Sequence, residues 1–449
     1  MILPQHTELF CLCVLTSSLL SNGYCSSAFQ FRLPFQTVPA RKLFTEWRKK
    51  DVGVKKLLHD QQLNENVQEA RLFDRLPYNV EISYTPTQVI RHRGYPAEVH
   101  HVTTDDGYIL ELHRIPAKPS LDGTPRKAVL LQHGNLQSSG EWLVNFPNRT
   151  LPLLLADKSY DVWLGNFRGN RFSRRHVTLS PKQTDFWRFS WDEIGNFDIP
   201  ALINYILSVT GLPTISYIGH SLGCGVFFIA MVKHPELNAK IDAMIAFGPV
   251  SSFAHSNALV FRAMTSFGKA IDTMFRRIGT RVFMDNTGKG HYFQQLLCGQ
   301  TYQQANLCAK FLNIYAGWNP HNTHPEVVPT TIANSQQGTS VAVLAQFAQN
   351  VKAGETFQAY DYGPKGNRIR YGTKKPLEYD LKKVTAPVYV YSGGNDRIVS
   401  PKDVDWLLPR LGNLKRSVRI KSYNHEDFVW GTDVKETLYD SVMADLPPP

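Results

Sequence analysis

Beyond Leu20 the chain has no apolar run long enough to cross a bilayer, which takes about 20 residues. A protein with membrane spans in its body is therefore not expected. There is no internal repeat and no long low-complexity tract, so the sequence does not read as a solenoid or a disordered scaffold. Zinc-finger spacing is missing, and so is any interleaving of basic and aromatic residues of the RNA-binding kind. Nucleic acid is accordingly excluded as a partner, although the net charge is +11. His321-Asn322-Thr323-His324 has no third ligand of matching spacing, which leaves a structural loop and no metal or other cofactor.

The composition is that of an ordinary folded chain. Hydrophobic residues make up 43% and charged residues 19% of 449, enough for a sizeable core in one large domain or two smaller ones. Aromatics reach 12%, which fits a large core, an apolar binding surface, or both. Leu9 to Leu20 is apolar but too short to span, and small residues follow from Ser21 to Ala28. This is the pattern of a signal peptide, here residues 1–25, even though Met1 to Glu8 carries no Lys or Arg. It predicts a secreted or lysosomal protein. Much of the positive charge sits in a following arm, residues 26–80, among them Arg41, Lys42, Arg48, Lys49 and Lys50. Leu57, Leu63, Val67, Ala70 and Leu72 give that arm a patchy helical period. A solvated helix face is the first reading of it, and contact with an anionic lipid surface the second.

The six cysteines are unevenly placed. Cys11 and Cys13 would leave with the signal, and Cys25 lies near the cut. Cys298 and Cys308 could close a small loop in an oxidising compartment. Cys224 reads as a buried helical residue, not a reactive thiol. Asn148-Arg149-Thr150 is a glycosylation sequon.

After the arm, strand and helix patterns alternate. Glu98–Thr103 and Tyr108–Arg114 flank the hairpin turn Asp105-Asp106-Gly107. Strands are expected at Ala128–Gln132, Tyr160–Leu164, Ile215–Ile218, Ile241–Phe247, Val388–Tyr391 and Val418–Ile420. Helices are expected at Ile194–Val209, Leu222–Lys233, Asp403–Leu408 and Val434–Met443. Such alternation predicts an α/β fold, a mostly parallel central sheet with helices on both faces. The alternation fails between Ser252 and Leu381. Residues 252–381 are therefore expected to be an inserted, mainly helical cap, dividing the core into residues 81–251 and 382–449.

Gly219-His220-Ser221-Leu222-Gly223 lies where the strand Ile215–Ile218 gives way to an apolar helix. That is the setting of a nucleophile elbow: a G-x-S-x-G turn that exposes a serine at the top of an α/β-hydrolase sheet. A serine hydroxyl needs a base, and the base needs a carboxylate to orient it. In this fold the order along the chain is Ser, acid, His. Asp396 and His425 satisfy it, each following a predicted strand, at the end where open α/β sheets bind ligands. Asp403, Asp405 and Asp427 are the alternatives, expected to face solvent. The oxyanion hole calls for two backbone donors, and the N–H groups of Leu222 and Asn135 are the candidates. His133 is expected to be a scaffold residue. Trp163, Trp187, Trp191 and Trp430 are expected in the core.

These residues, with Gly94-Tyr95-Pro96, Leu131-Gln132-His133-Gly134, Asp161-Val162-Trp163-Leu164-Gly165-Asn166, Gly338-Thr339-Ser340-Val341 and Tyr423-Asn424-His425-Glu426-Asp427-Phe428, make the chain resemble the acid lipase family of gastric and lysosomal lipases. The resemblance runs from about Gly94 onward. It implies hydrolysis of acylglycerols or sterol esters by Ser221, Asp396 and His425, in an apolar site beneath a helical cap with a lid. It also implies a Cys298–Cys308 disulfide and a glycan near Asn148. The chain departs from the family in three places. Leu222 stands where Gln is usual, Asn135 stands where Leu is usual, and the basic arm is long. Both side-chain changes leave the backbone donors in place but alter the polarity around them. A carboxylesterase for smaller esters, and an inactive hydrolase fold that binds lipid, are the alternatives.

Overall fold

The computed structural model describes residues 75–77, 79–119, 123–258, 282–285, 297–334 and 337–449. The expected signal segment, residues 1–25, and nearly all of the basic arm lie outside these. Among the described residues no helix is long and apolar enough to cross a membrane.

The sheet follows from rows of β-branched and aromatic residues, strong strand formers. In chain order the strands are β1 (Glu98–Thr103), β2 (Tyr108–Ile115), β3 (Ala128–Gln132), β4 (Asp161–Leu164), β5 (Arg175–His176), β6 (Ile215–His220), β7 (Ile241–Phe247), β8 (Val282–Asp285), β9 (Gln337–Ser340), β10 (Val388–Gly393) and β11 (Leu414–Ile420). The main sheet runs β1-β2-β4-β3-β6-β7-β10-β11, with β5 added alongside β2. From β4 to β11 every neighbouring pair is parallel, whereas β1 with β2 and β2 with β4 are antiparallel. The chain goes from β3 to β4 on one side and returns to β6 on the other. The ends of β3 and β6 therefore flank the point where strand order reverses, the usual binding crevice of such sheets.

Side chains alternate across the sheet and, in its central strands, are buried on both faces. Leu130, Trp163, Tyr217, Met244 and Val390 belong to one apolar cluster. Leu131, Val162, Ile218, Ile245 and Tyr391, their neighbours along the same strands, belong to the other. The first cluster is closed by the helices Ile199–Thr210 and Leu222–Lys233. The second is closed by Pro86–His92, Leu151–Asp157 and the C-terminal helices. Leu222–Lys233 is buried continuously from Leu222 to Met231, as expected of a helix apolar on all sides. Trp163, Trp187, Trp191 and Trp430 all lie in these clusters.

Several boundaries differ from expectation. β6 continues through Gly219 to His220, and β11 begins four residues early, at Leu414. Lys415 and Arg416, near the start of β11, are charged and exposed, as suits an edge strand. The single helix expected from Ile194 is a π segment, Ile194–Asp198, followed by the α-helix Ile199–Thr210.

Between β7 and β10 the chain leaves the sheet. The described part holds the helices Tyr302–Ala316, Val328–Asn334, Val341–Ala353 and Gly363–Tyr371, with β8 and β9 paired antiparallel. Cys298 and Cys308 are joined by a disulfide. Cys224 is free and buried.

Candidate active site

Ser221 occupies the single-residue turn between β6 and the helix Leu222–Lys233, at φ 54° and ψ −115°. A serine with positive φ is held there by its surroundings, not by preference. Its N–H donates to Phe247 O, and its own carbonyl accepts from Cys224 N and Val250 N. Gly223 lets the start of the helix pack against the end of β3: a Cβ there would stand 2.5 Å from Gln132 O. Gly134 permits the second close approach, since its Cβ would lie 3.3 Å from Ser221 Cβ. The loop after β3 thus passes directly against the serine, with Asn135 next in sequence and Leu222 N–H opening the facing helix.

Asp396 follows β10, and His425 follows β11. Ser221 Oγ donates to His425 Nε2 at 2.8 Å, and His425 Nδ1 donates to Asp396 Oδ2 at 2.8 Å. The other carboxylate oxygen, Oδ1, accepts from Ile398 N and Val399 N, each at 2.8 Å. All three side chains are buried. Three residues spread over 204 positions therefore form one hydrogen-bonded chain across the carboxyl ends of three strands.

The helix Tyr302–Ala316 abuts this chain end-on. Ala316 O accepts from His425 N and Arg397 N, and Gly317 O accepts from Asn424 Nδ2.

Two buried histidines flank the site. Phe167 N–H and Asn170 Nδ2 both donate to His133 Nε2. The proton of His133 is therefore on Nδ1, which donates to Gly134 O. Burial pushes its pKa down to about 4, so His133 is a neutral brace for the β3 loop. His220 is the opposite case. Burial opposes its charged form, but the carboxylate of Glu141 prevails and holds its pKa up to about 9. Glu141 Oε1 pairs with His220 Nδ1, and His220 Nε2 donates to His425 O at 2.9 Å. Glu426 lies close enough to Glu141 and His220 for their ligand atoms to fall within 4.8 Å of one another. Both nitrogens of His220 are already engaged, so the group is an ion pair with a neighbouring acid and not an open metal site. Glu141 does not stand out in the sequence, and neither does its pairing with His220. The available signal was a lone acid entering the apolar run Trp142-Leu143-Val144.

His425 Nδ1 pairs with Asp396 and not with the alternative carboxylates, two of which are not solvent-facing as expected. Asp403 is fully buried and accepts from Ser252 Oγ and His255 N. Asp427 is likewise buried and accepts from Asn424 N and Asn319 Nδ2. Hydrogen bonds from distant loops, and for Asp427 also from its own loop, replace their hydration. Asp405 is exposed and pairs with Arg419. His324 accepts from Glu326 N in a short loop, and His321 is exposed. Asn148 is exposed in the turn Pro147–Arg149. The Oδ1 atom of Asn135 is buried without a hydrogen-bond partner.

Comparison with known proteins gives two family matches. Residues 86–146 match the partial alpha/beta-hydrolase lipase region, and residues 127–432 match the alpha/beta hydrolase fold. Rattus norvegicus gastric triacylglycerol lipase is 37% identical over 377 residues, covering 83% of this chain and 94% of that one. Mus musculus lipase member K is 37% identical over 368 residues, covering 81% and 91%. Drosophila melanogaster lipase 1 is 38% identical over 371 residues, covering 80% and 79%.

Proposed function

The chain belongs to the α/β-hydrolase lipases, and from that premise we propose that it is a serine hydrolase cleaving the carboxylic ester bonds of lipids, triacylglycerols or sterol esters, by way of an acyl-enzyme. The observation that carries this reading is the unbroken relay Ser221 Oγ–His425–Asp396, with both links at 2.8 Å.

His425 Nε2 takes the proton of Ser221 as Oγ attacks the ester carbonyl. Asp396 holds the imidazole in the tautomer that keeps Nε2 free to accept, and it stabilises the imidazolium that forms. The negative charge arising on the carbonyl oxygen is met by Leu222 N–H, at the positive end of a helix of 12 residues, and by Asn135 N–H. His425 then returns the proton to the departing alcohol. A water molecule, activated by the same histidine, frees the fatty acid.

The family relationship and the expected signal segment support an extracytoplasmic location, secreted or lysosomal, with substrate met at an emulsion or membrane surface. Asn148 is proposed as a glycosylation site. Long-chain ester hydrolysis by the wild type and by Ser221→Ala tests the reading. The variant should keep its fold and lose activity by a factor on the order of 10⁴ or more. Full activity in Ser221→Ala would overturn it.

A further inference from the structure

Glu141 and His220 are 79 residues apart, and each touches a different part of the machinery. Glu141 Oε2 accepts from Gly134 N at 2.8 Å, one residue before the proposed oxyanion donor Asn135. Its other oxygen pairs with His220, the residue before Ser221. The far side of that imidazole donates to the backbone carbonyl of His425. The geometry points to the Glu141–His220 pair as a positioning device that locks the oxyanion loop, the nucleophile elbow and the loop of the general base into one register. This inference rests on the hydrolase reading above.

The chemistry of the two residues suits that task. A carbonyl oxygen can only accept, so His220 Nε2 must carry a proton. An ionised carboxylate can only accept, so Nδ1 must carry one as well. The ring is thus a two-headed donor, and the carboxylate is a two-headed acceptor for His220 and Gly134. Side-chain exposure is 1% for His220 and 2% for Glu141, so water does not compete for these bonds. A buried ion pair of this kind adds little net stability over apolar packing, which makes packing alone a poor reason for its presence. The rings of His220 and His425 lie 5.0 Å apart, so a shift of the first is felt by the second. Ester attack tolerates little error, because a misplacement of about 1 Å costs about 10²-fold in rate.

Neither residue touches the reacting atoms, so the test must distinguish positioning from general damage. Glu141→Gln and His220→Gln, each close in size to the residue replaced, are assayed on a soluble short-chain ester. Affinity is also measured for a trifluoromethyl ketone, which mimics the tetrahedral state, and for a non-hydrolysable ether analogue, which mimics the ground state. The expected result is a loss in kcat of about 10²-fold, with KM within about threefold. Ketone affinity should fall in parallel, and ether affinity should hold. The double variant should be no worse than the poorer single, since the pair acts as a unit. Single variants within about threefold of wild-type kcat, an unchanged ketone affinity, or losses that multiply in the double would each overturn the inference. If Glu141→Gln does not fold, Glu141→Asp carries the same comparison with the charge kept and the reach shortened. The wild-type control separates the two claims: an inactive wild type contradicts the hydrolase reading and the clamp together, whereas active wild type with equally active variants contradicts the clamp alone.

Discussion

The sheet and the helical segment from Thr301 to Asn334 are held together in different ways. Each face of the sheet is sealed by Leu, Ile, Val, Phe and Trp side chains in a continuous cluster. The helical segment has a local core of Ala305, Ala309 and Val328, flanked by the disulfide cysteines, Leu76 and Ile332. Small residues bury little apolar area, about 25 cal/mol per Å², so a covalent link matters more there. The division of labour follows. Ser221, Asp396 and His425 all stand at strand ends, where parallel pairing and dense packing fix the backbone. The helical segment meets them through polar contacts: Ala316 O accepts from His425 N, and Asn313, Gly317, Trp318 and Asn319 bond the residues beside Asp396 and His425. Chemistry is placed by the sheet, and the helices are placed against the chemistry.

That contrast can be broken from either side. The largest effect should come from the sheet: Asp396→Asn is expected to lower kcat by about 10⁴-fold with the fold intact, because His425 is then held in the wrong tautomer. A loss under tenfold would mean that Asp396 is not the orienting acid. On the other side, replacing Cys298 and Cys308 together by Ser should destabilise the helical segment by about 3 kcal/mol, the loop entropy for a separation of 10 residues. Faster amide exchange in Tyr302–Ala316 would report it, while kcat on a small soluble ester stays within about threefold. An equal collapse of kcat would erase the distinction between the two regions.

The smallest effect concerns pH. Burial pushes the Asp427 carboxyl up to about 7, against the hydrogen bond it accepts from Asn424 N–H. Its folded pKa thus exceeds the unfolded value of about 3.9. Between those values the folded state binds the extra proton, so this group's contribution is fullest at low pH and is lost as pH rises through about 7. Asp427→Asn has no proton to lose. The thermal midpoint of wild type relative to this variant should therefore fall from pH 4 to pH 8. A constant difference would contradict the assignment.

Much of this was legible in the sequence. The elbow is encoded by five adjacent residues between a strand and a helix, and Asp396 and His425 each follow a strand by a few residues. The parallel sheet was visible because strands buried on both faces read as unbroken apolar runs. What stayed hidden depended on contacts between distant segments. Glu141 and His220 meet across 79 residues, and no local pattern marks either for the other. The sequence does not reveal the burial of Asp403 and Asp427, because a charged side chain is normally solvated. Their burial depends on donors from Ser252, His255 and Asn319, which only the fold brings near.

Ser221 is proposed as the nucleophile, and the relay behind it makes it one. The most direct measurement is labelling of the folded protein with a lipid-like fluorophosphonate, followed by peptide mass analysis. One adduct is expected, on Ser221, formed at a rate that collapses in His425→Ala. A wild-type protein that hydrolyses lipid esters yet carries its adduct elsewhere, or labels at Ser221 equally fast without His425, would contradict it.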